Sequence, residues 1–352
     1  MKRFHGSLKP THIILPTQHA GFGGWIEMEA FQCREMMDGR SIEIPGTRRK
    51  LASFHNLITN HGLDCIGFRP QTSGYNYGSY AHVGTGNAAE SVADTTLDTF
   101  VASHIVDNGY QSVYWVQSTP PYYGSHKKRY RFSPNFGGGA INVSEIGIST
   151  QAATGGLFSR ALVRTGGGVP TTVAVSATEY LDVYYTLRLY PDHVDYTTGA
   201  TDDGTGSFDV EGVTYNYTIR CERITYGGLW AYNLWNGFTF SNWVDGFGKG
   251  LLYSNDAALG PVTGAMTASD TDIWFYTYDH VRGTYVASTY QNTITFDTPL
   301  DVANFTPGEI WGLAPWSSIG GYQILLDAGI PKTSSSEFYY THRTAWTRKS
   351  LL

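Results

Sequence analysis

The stretch Tyr180–Pro191 reads YLDVYYTLRLYP, and it decides the fold. Leu181, Val183, Tyr185, Leu187 and Leu189 fall on one face of an extended chain, because successive side chains of a strand point to opposite sides. Alternation sustained over that length predicts a strand with one face in a core. Upstream, Ile141 to Tyr190 is poor in charge, rich in Val, Thr and Tyr, and cut by Thr154-Gly155-Gly156 and Thr165-Gly166-Gly167-Gly168. It reads as three or four antiparallel strands joined by glycine turns. A slip of parity at Glu145-Ile146 predicts a bulge, or a strand covered on both faces. Arg129 to Phe132 and Thr172 to Ala177 also alternate by two, and Tyr114-Trp115-Val116 runs up to Pro120-Pro121.

Several strands at this spacing predict an all-β chain whose residues 51–195 form an antiparallel, jelly-roll-like β-sandwich rather than a barrel or an α/β fold. In Gly23–Pro45, Ile26, Met28 and Ala30 alternate with Trp25, Glu27 and Glu29, and Asp38-Gly39 supplies a turn. Residues 1–50 are therefore expected to form an N-terminal attachment hairpin region. One short helix is expected near residues 53–61, capped by Ser53, with Phe54, Leu57 and Ile58 as its apolar face and Gly62 as its stop. The polar, glycine-rich Asp192–Ser207 marks a boundary. Beyond it, Tyr215, Tyr217, Ile219 and Cys221 resume the alternation, and seven of the nine tryptophans follow residue 220. Residues 196–352 thus form a second, aromatic-rich β-domain.

Composition narrows the function. Only 15% of the 352 residues are charged, against about 25% in ordinary soluble proteins. A net charge of −6 speaks against a broad nucleic-acid face. Few charges with 14% aromatics suit surfaces that other copies of the chain cover, so a homo-oligomer is expected. Cys33, Cys65 and Cys221 are odd in number and widely spaced, and read as reduced packing residues. The opening MKRFHGSLKPTHIILP lacks the apolar run of a signal peptide, and no segment approaches the roughly 18 apolar residues of a membrane span. Folding in a cytoplasm without export, and no membrane insertion, are the expectations.

Candidate chemistry is sparse. Gly84-Thr85-Gly86-Asn87 is followed by no Lys-Ser/Thr pair and opens no helix, so it reads as a turn. His55 and His61 are wrongly spaced for one helical face, and Asp202, Asp203, Asp209 and Glu211 read as loop carboxylates. No catalytic residue, cofactor or metal is expected. Lys127, Arg129 and Arg131 would project from one strand face, opposite Tyr130 and Phe132, as a candidate electrostatic contact for a neighbouring subunit or an anionic glycan. Trp230, Trp235 and Trp243 are candidate glycan or subunit contacts, since aromatic rings stack on the apolar faces of sugars.

The order of several segments resembles a family of tailed-bacteriophage virion proteins of the tail fibre or minor tail type. FHNLITNHGLDCIG (54–67) is similar to that family's NLI–x–x–x–GLD segment, and VGTGNAAESVADTTL (83–97) to its VGTGN…TDTAL loop. PYYGSHKKRYRF is followed by INVSEIGI and LFSRALV, and then by VPTTVAVSATEYLDVYYTLRLYP. AGIPKTSSSEFYYTHRTAWTRK resembles the family's C-terminal PIPKT…WGR ending, with Thr347 in place of the glycine. The likeness covers roughly residues 22–191 and the last thirty. It implies a non-enzymatic virion component built of β-domains at the tail or its fibres, for which assembly, host attachment, and itself (a trimer favoured) and other virion proteins as partners are the expectations. A host surface glycan is a further expected partner, from the tryptophans rather than from the likeness. No catalytic residue carries over. A glycan-binding receptor module, a head decoration protein and a polysaccharide depolymerase stay open beside it.

Overall fold

The structure, a computed structural model, describes residues 11–37, 39–67, 78–107, 113–117, 121, 123–191, 204–221, 249–253, 280–298, 308–317 and 320–349. Strands β1 (Thr11–Ile14), β2 (Gln18–Phe31), β3 (Cys33–Glu35), β4 (Ser41–Glu43) and β5 (Arg49–Ile58) precede helix α1 (Asn60–Gly67). There follow β6 (Tyr80–Gly84), β7 (Phe100–Ile105), β8 (Val113–Gln117), β9 (Tyr123–Phe132), β10 (Ile141–Val143) and β11 (Glu145–Ser149). Next come β12 (Leu157–Leu162), β13 (Val173–Val175), β14 (Tyr180–Pro191), β15 (Gly204–Val210) and β16 (Val213–Cys221). The last are β17 (Lys249–Tyr253), β18 (His280–Arg282), β19 (Gln291–Thr298), β20 (Glu309–Ser317), β21 (Gly320–Pro331) and β22 (Phe338–Arg348). The chain is all-β, in several largely antiparallel sheets.

β14 lies at the centre. Leu181, Val183, Tyr185, Leu187 and Leu189 are all buried, as the alternation requires. β14 pairs antiparallel with β2 along one edge and with β9 along the other. β8, β9, β14, β2 and β5 make one layer, and β12, β11, β6 and β7 make the facing one. β5 passes between them: its first part pairs with β2, while Leu57 and Ile58 pair with β12. On the opposite side, a bridge between Val106 and Tyr130, and a 2.8 Å bond from the Asp107 amide to the Arg129 carbonyl, tie the end of β7 to β9. Both sides of this first sandwich are thereby joined. Ile26, Met28, Phe54, Val83, Tyr130, Ile146, Ile148, Phe158, Val183 and Leu189 fill its interior. Each such side chain contributes about 1.5–3 kcal/mol on burial. β11 is buried on both faces, which accounts for the parity slip at Glu145-Ile146, and its pairing with β12 shifts register further on, at Ile148/Ser149.

The second sandwich sets the five-stranded sheet β15-β16-β21-β20-β17 against β1, β19 and β22. Ile13, Phe296, Leu313, Tyr322, Ile324, Phe338 and Tyr340 form its core. A hairpin turn at Glu211-Gly212 (φ 51° and 84°) joins β15 to β16.

The expected helix needs correction. The helix does not span 53–61. Ala52, Phe54 and Ile58 alternate inward along β5, and the Ser53 hydroxyl accepts a bond from the Trp25 indole instead of capping. The cap is Thr59, whose Oγ1 accepts the Gly62 amide at 2.9 Å, and the helix runs Asn60–Gly67. Gly62 sits in its first turn, where any Cβ would collide with the Phe158 carbonyl. Strand pairing runs across both residue 50 and residue 195. Gly39, with φ 77°, lies between β3 and β4, a two-stranded hairpin, and Asp38 lies outside the described residues. β2, however, is an inner strand of the first sandwich, while β1 belongs to the second. β22 serves both. Its start pairs with β1, its end pairs in parallel with Gln18–Phe22 of β2, and Trp346 enters the first core, where its indole donates to the Leu63 carbonyl. Of the expected boundary segment, Gly204–Ser207 is strand and 192–203 lies outside the described residues.

Candidate functional site

Lys127, Arg129 and Arg131 project from one face of β9, with Tyr130 and Phe132 on the other. The ion pairs of this face come from the same chain. Lys127 meets Glu27, across β14 on β2. Arg129 meets Asp107, in the segment that closes the sandwich. Arg131 grips Asp182 with two bonds, Nε at 2.7 Å and Nη2 at 2.8 Å. Asp182 is fully buried, and Arg48 also reaches it at 3.2 Å while binding Glu29 at 2.7 Å and Glu43 at 2.6 Å. Both guanidiniums lie over Phe31, at 4.0 and 4.9 Å from its centroid. The Arg48 bond holds the Glu43 carboxyl below the ordinary range, and the Asp182 bond pushes Arg131 up. These charges pin the β3–β4 hairpin to the β2–β14–β9 face.

A second cluster lies on the opposite layer, under the loop from Thr85 to Thr99. Glu145 of β11 is fully buried. Its Oε1 accepts the amides of Gly86 and Thr99, at 3.0 and 2.7 Å. Its Oε2 accepts the Asp98 amide at 3.0 Å and Nε and Nη2 of Arg160 at 3.1 and 2.9 Å. Arg160, from β12, also donates to Asp94 at 2.7 Å and to the carbonyls of Ala88 and Ala89. Burial opposes the Arg160 charge, but the Asp94 and Glu145 carboxylates outweigh it and raise its pKa. Glu90 extends the cluster. Burial works against its ionisation, yet the Leu162 amide and Arg164 win and hold it low. At Gly86 a side chain would run into Asp98 and Glu145, so the loop lies flat only with glycine there. With both oxygens of Glu145 accepting bonds, the pair fastens a loop to a sheet.

Other ionisable groups also serve packing. His126 and Lys128 face the first core beside Leu187 and Tyr185. Burial, with Lys128 adding to it, lowers His126 to about 3, and burial lowers Lys128 to about 8. Asp64 of α1 accepts the Tyr285 hydroxyl and the Ser288 amide, each at 2.6 Å. His342, between Tyr322 and Thr344 in the second core, is lowered to about 3 by burial. Asp209 and Glu211 sit at the end of the β15–β16 hairpin, and the Asp209 carboxylate accepts the Thr214 hydroxyl. Trp230, Trp235 and Trp243 lie outside the described residues, as do Asp202 and Asp203.

Reasoning from the sequence singled out the β9 cations but missed Arg48, Asp182, Glu145 and Arg160. The usable signal was a lone charge inside an otherwise apolar strand, as in EIGIS and LFSRAL. No protein-family model matches the chain, and no curated protein or solved structure does.

Proposed function

We propose that this chain is a non-enzymatic structural component of a tailed-phage virion, at the tail or its fibres, acting in assembly and host attachment. One observation carries the reading. The segments that carry the resemblance are the ones that build a single fastened unit. Gly86 and the rest of 83–97 close over Glu145 of SEIGI and Arg160 of LFSRAL. Thr59 and Asn60 of the NLITN segment bond to Phe158 and Val92, and Arg348 of the C-terminal segment donates to the Ile58 carbonyl. Residues whose shared task is to lock strands and loops suit a part that must persist under load. Low surface charge suits one that is covered by its own copies, with a trimer as the expected state.

The test is to purify particles of the phage that encodes the chain and locate it by mass spectrometry and cryo-electron microscopy. We expect a fixed copy number at the tail. Recovery only in the soluble fraction of the lysate, with none in particles, would overturn the proposal. Removing all of residues 1–50 would take out β2 and unfold the protein. The docking variant is therefore one that shortens the β3–β4 hairpin between Cys33 and Glu43, and it should fold yet incorporate poorly.

A further inference from the structure

The outer face of β9, β14 and β2 treats charge differently at its two ends. Around Asp182 the cations meet carboxylates. At the other end, Arg188 of β14 stands opposite Gly23 of β2 and Ser125 of β9. Its guanidinium lies 4.5 Å from the centroid of Tyr123, and Nη1 is 3.5 Å from the Tyr190 hydroxyl. Its Nε is buried with no acceptor. Lys349, exposed just beyond β22, has its ammonium 6.0 Å from the Tyr190 centroid. Among the described residues neither cation has a carboxylate within ion-pairing distance. The Arg188 charge also reaches His55, which burial first, and then that cation, hold below its ordinary value.

The two tyrosines are 5.2 Å apart, and Trp115 of β8 meets Tyr123 edge-on at 5.4 Å while remaining 50% exposed. An arginine N–H without an acceptor in a partly buried setting calls for a partner, and a guanidinium fork suits a carboxylate. Two uncompensated cations favour an anion. A half-exposed indole beside them favours an anion with a flat apolar side, because sugar C–H faces stack on aromatic rings. We propose that Trp115, Arg188 and Lys349 bind an acidic saccharide, with Arg188 and Lys349 holding its carboxylate and Trp115 its ring. Only the saccharide's source, the host surface, rests on the host-attachment reading; the binding itself stands apart from where the chain sits in a particle.

The experiment is isothermal titration of the full chain with an oligosaccharide of glucuronic acid, with its carboxyl-reduced counterpart, and with inorganic phosphate. Saturable binding of the acidic sugar is expected. The reduced counterpart should bind about tenfold more weakly or worse, and raised salt should weaken the acidic one. Lys349→Gln, at an exposed position, should weaken binding about tenfold with the thermal midpoint unchanged, and Trp115→Ala should weaken it about tenfold while the chain stays folded by circular dichroism. Arg188→Gln should abolish binding. Equal binding of the neutral sugar, equal occupancy by phosphate alone, no saturable binding, or unaltered affinity in Lys349→Gln would each overturn the proposal. If acidic sugar binds while the chain is absent from particles, only the virion reading falls.

Discussion

The two sandwiches are held by different means. Among the described residues, the ion pairs lie in the first, where they fasten what the sheets cannot: the 85–99 loop through Glu145 and Arg160, and the β3–β4 hairpin through Arg48 and Asp182. The second closes on rings and aliphatic side chains. Phe296 stacks on Tyr340 at 4.7 Å, and Tyr322 meets His342 edge-on at 5.2 Å. A regular ladder already satisfies its own backbone. A long loop laid across a sheet does not, and its amides need side-chain acceptors. The Glu145–Arg160 and Arg48 clusters thus sit where backbone regularity ends, while Lys127–Glu27 and Arg131–Asp182 cross the regular β9–β14–β2 ladder.

That contrast can be broken most directly at Glu145. Glu145→Gln leaves the buried Arg160 with Asp94 as its remaining carboxylate and removes the charge that the loop amides meet, and should cost about 3 kcal/mol, read as a fall in the denaturant midpoint. A loss under about 1 kcal/mol would mean that the loop is held by something else. Trp346→Ala tests whether the sandwiches are independent. It removes a buried ring from the first core on a strand whose other end is in the second, and should cost about 3 kcal/mol. Unfolding should stay a single transition by both far-ultraviolet and tryptophan signals; two separated transitions would show that β22 does not couple them.

Acid sharpens the comparison. His126 in the first sandwich and His342 in the second are both lowered from 6.5 to about 3 by burial. The unfolded chain therefore binds protons at higher pH than the folded one, and stability falls as pH drops from about 6.5. Glu43, Glu90 and Glu179 are held below 4.5, so the first sandwich loses more below that value, as carboxylates that prefer their charge are neutralised. His342→Gln keeps a hydrogen-bonding side chain that does not titrate. It should flatten the decline between pH 6.5 and 4.5 and leave the steeper acid loss in place, as measured by denaturation across pH. The smallest effect is expected at Lys127→Gln, a partly exposed pair with Glu27, where stability should change by less than about 1 kcal/mol.

The faces of β14, β9 and β13 could be read from their residues because a period of two in one segment needs no knowledge of any other. The helix could not be placed from local pattern alone. ASFHNLI holds a cap-like serine and an apolar stripe, yet β2 and β12 supply edges that make it a strand. Partnerships across the chain were equally hidden. Nothing in Glu145 names Arg160, and nothing in Gln18 names Thr344. The Trp115, Arg188 and Lys349 group comes from three separate segments, and its one local trace is a cation two places before a tyrosine on the polar side of a strand.

The parallel pairing of Gln18–Phe22 with Thr344–Arg348 has a consequence for synthesis. Gln18–Phe22 leaves the ribosome more than about 300 residues before its neighbour exists, so that part of the β2 edge must wait while the rest pairs early with β5. Contacts of that sequence separation make folding slow. Closure of this edge is then tied to the arrival of β22, and a chain stalled before residue 344 would expose an open edge for chaperones or proteases to recognise.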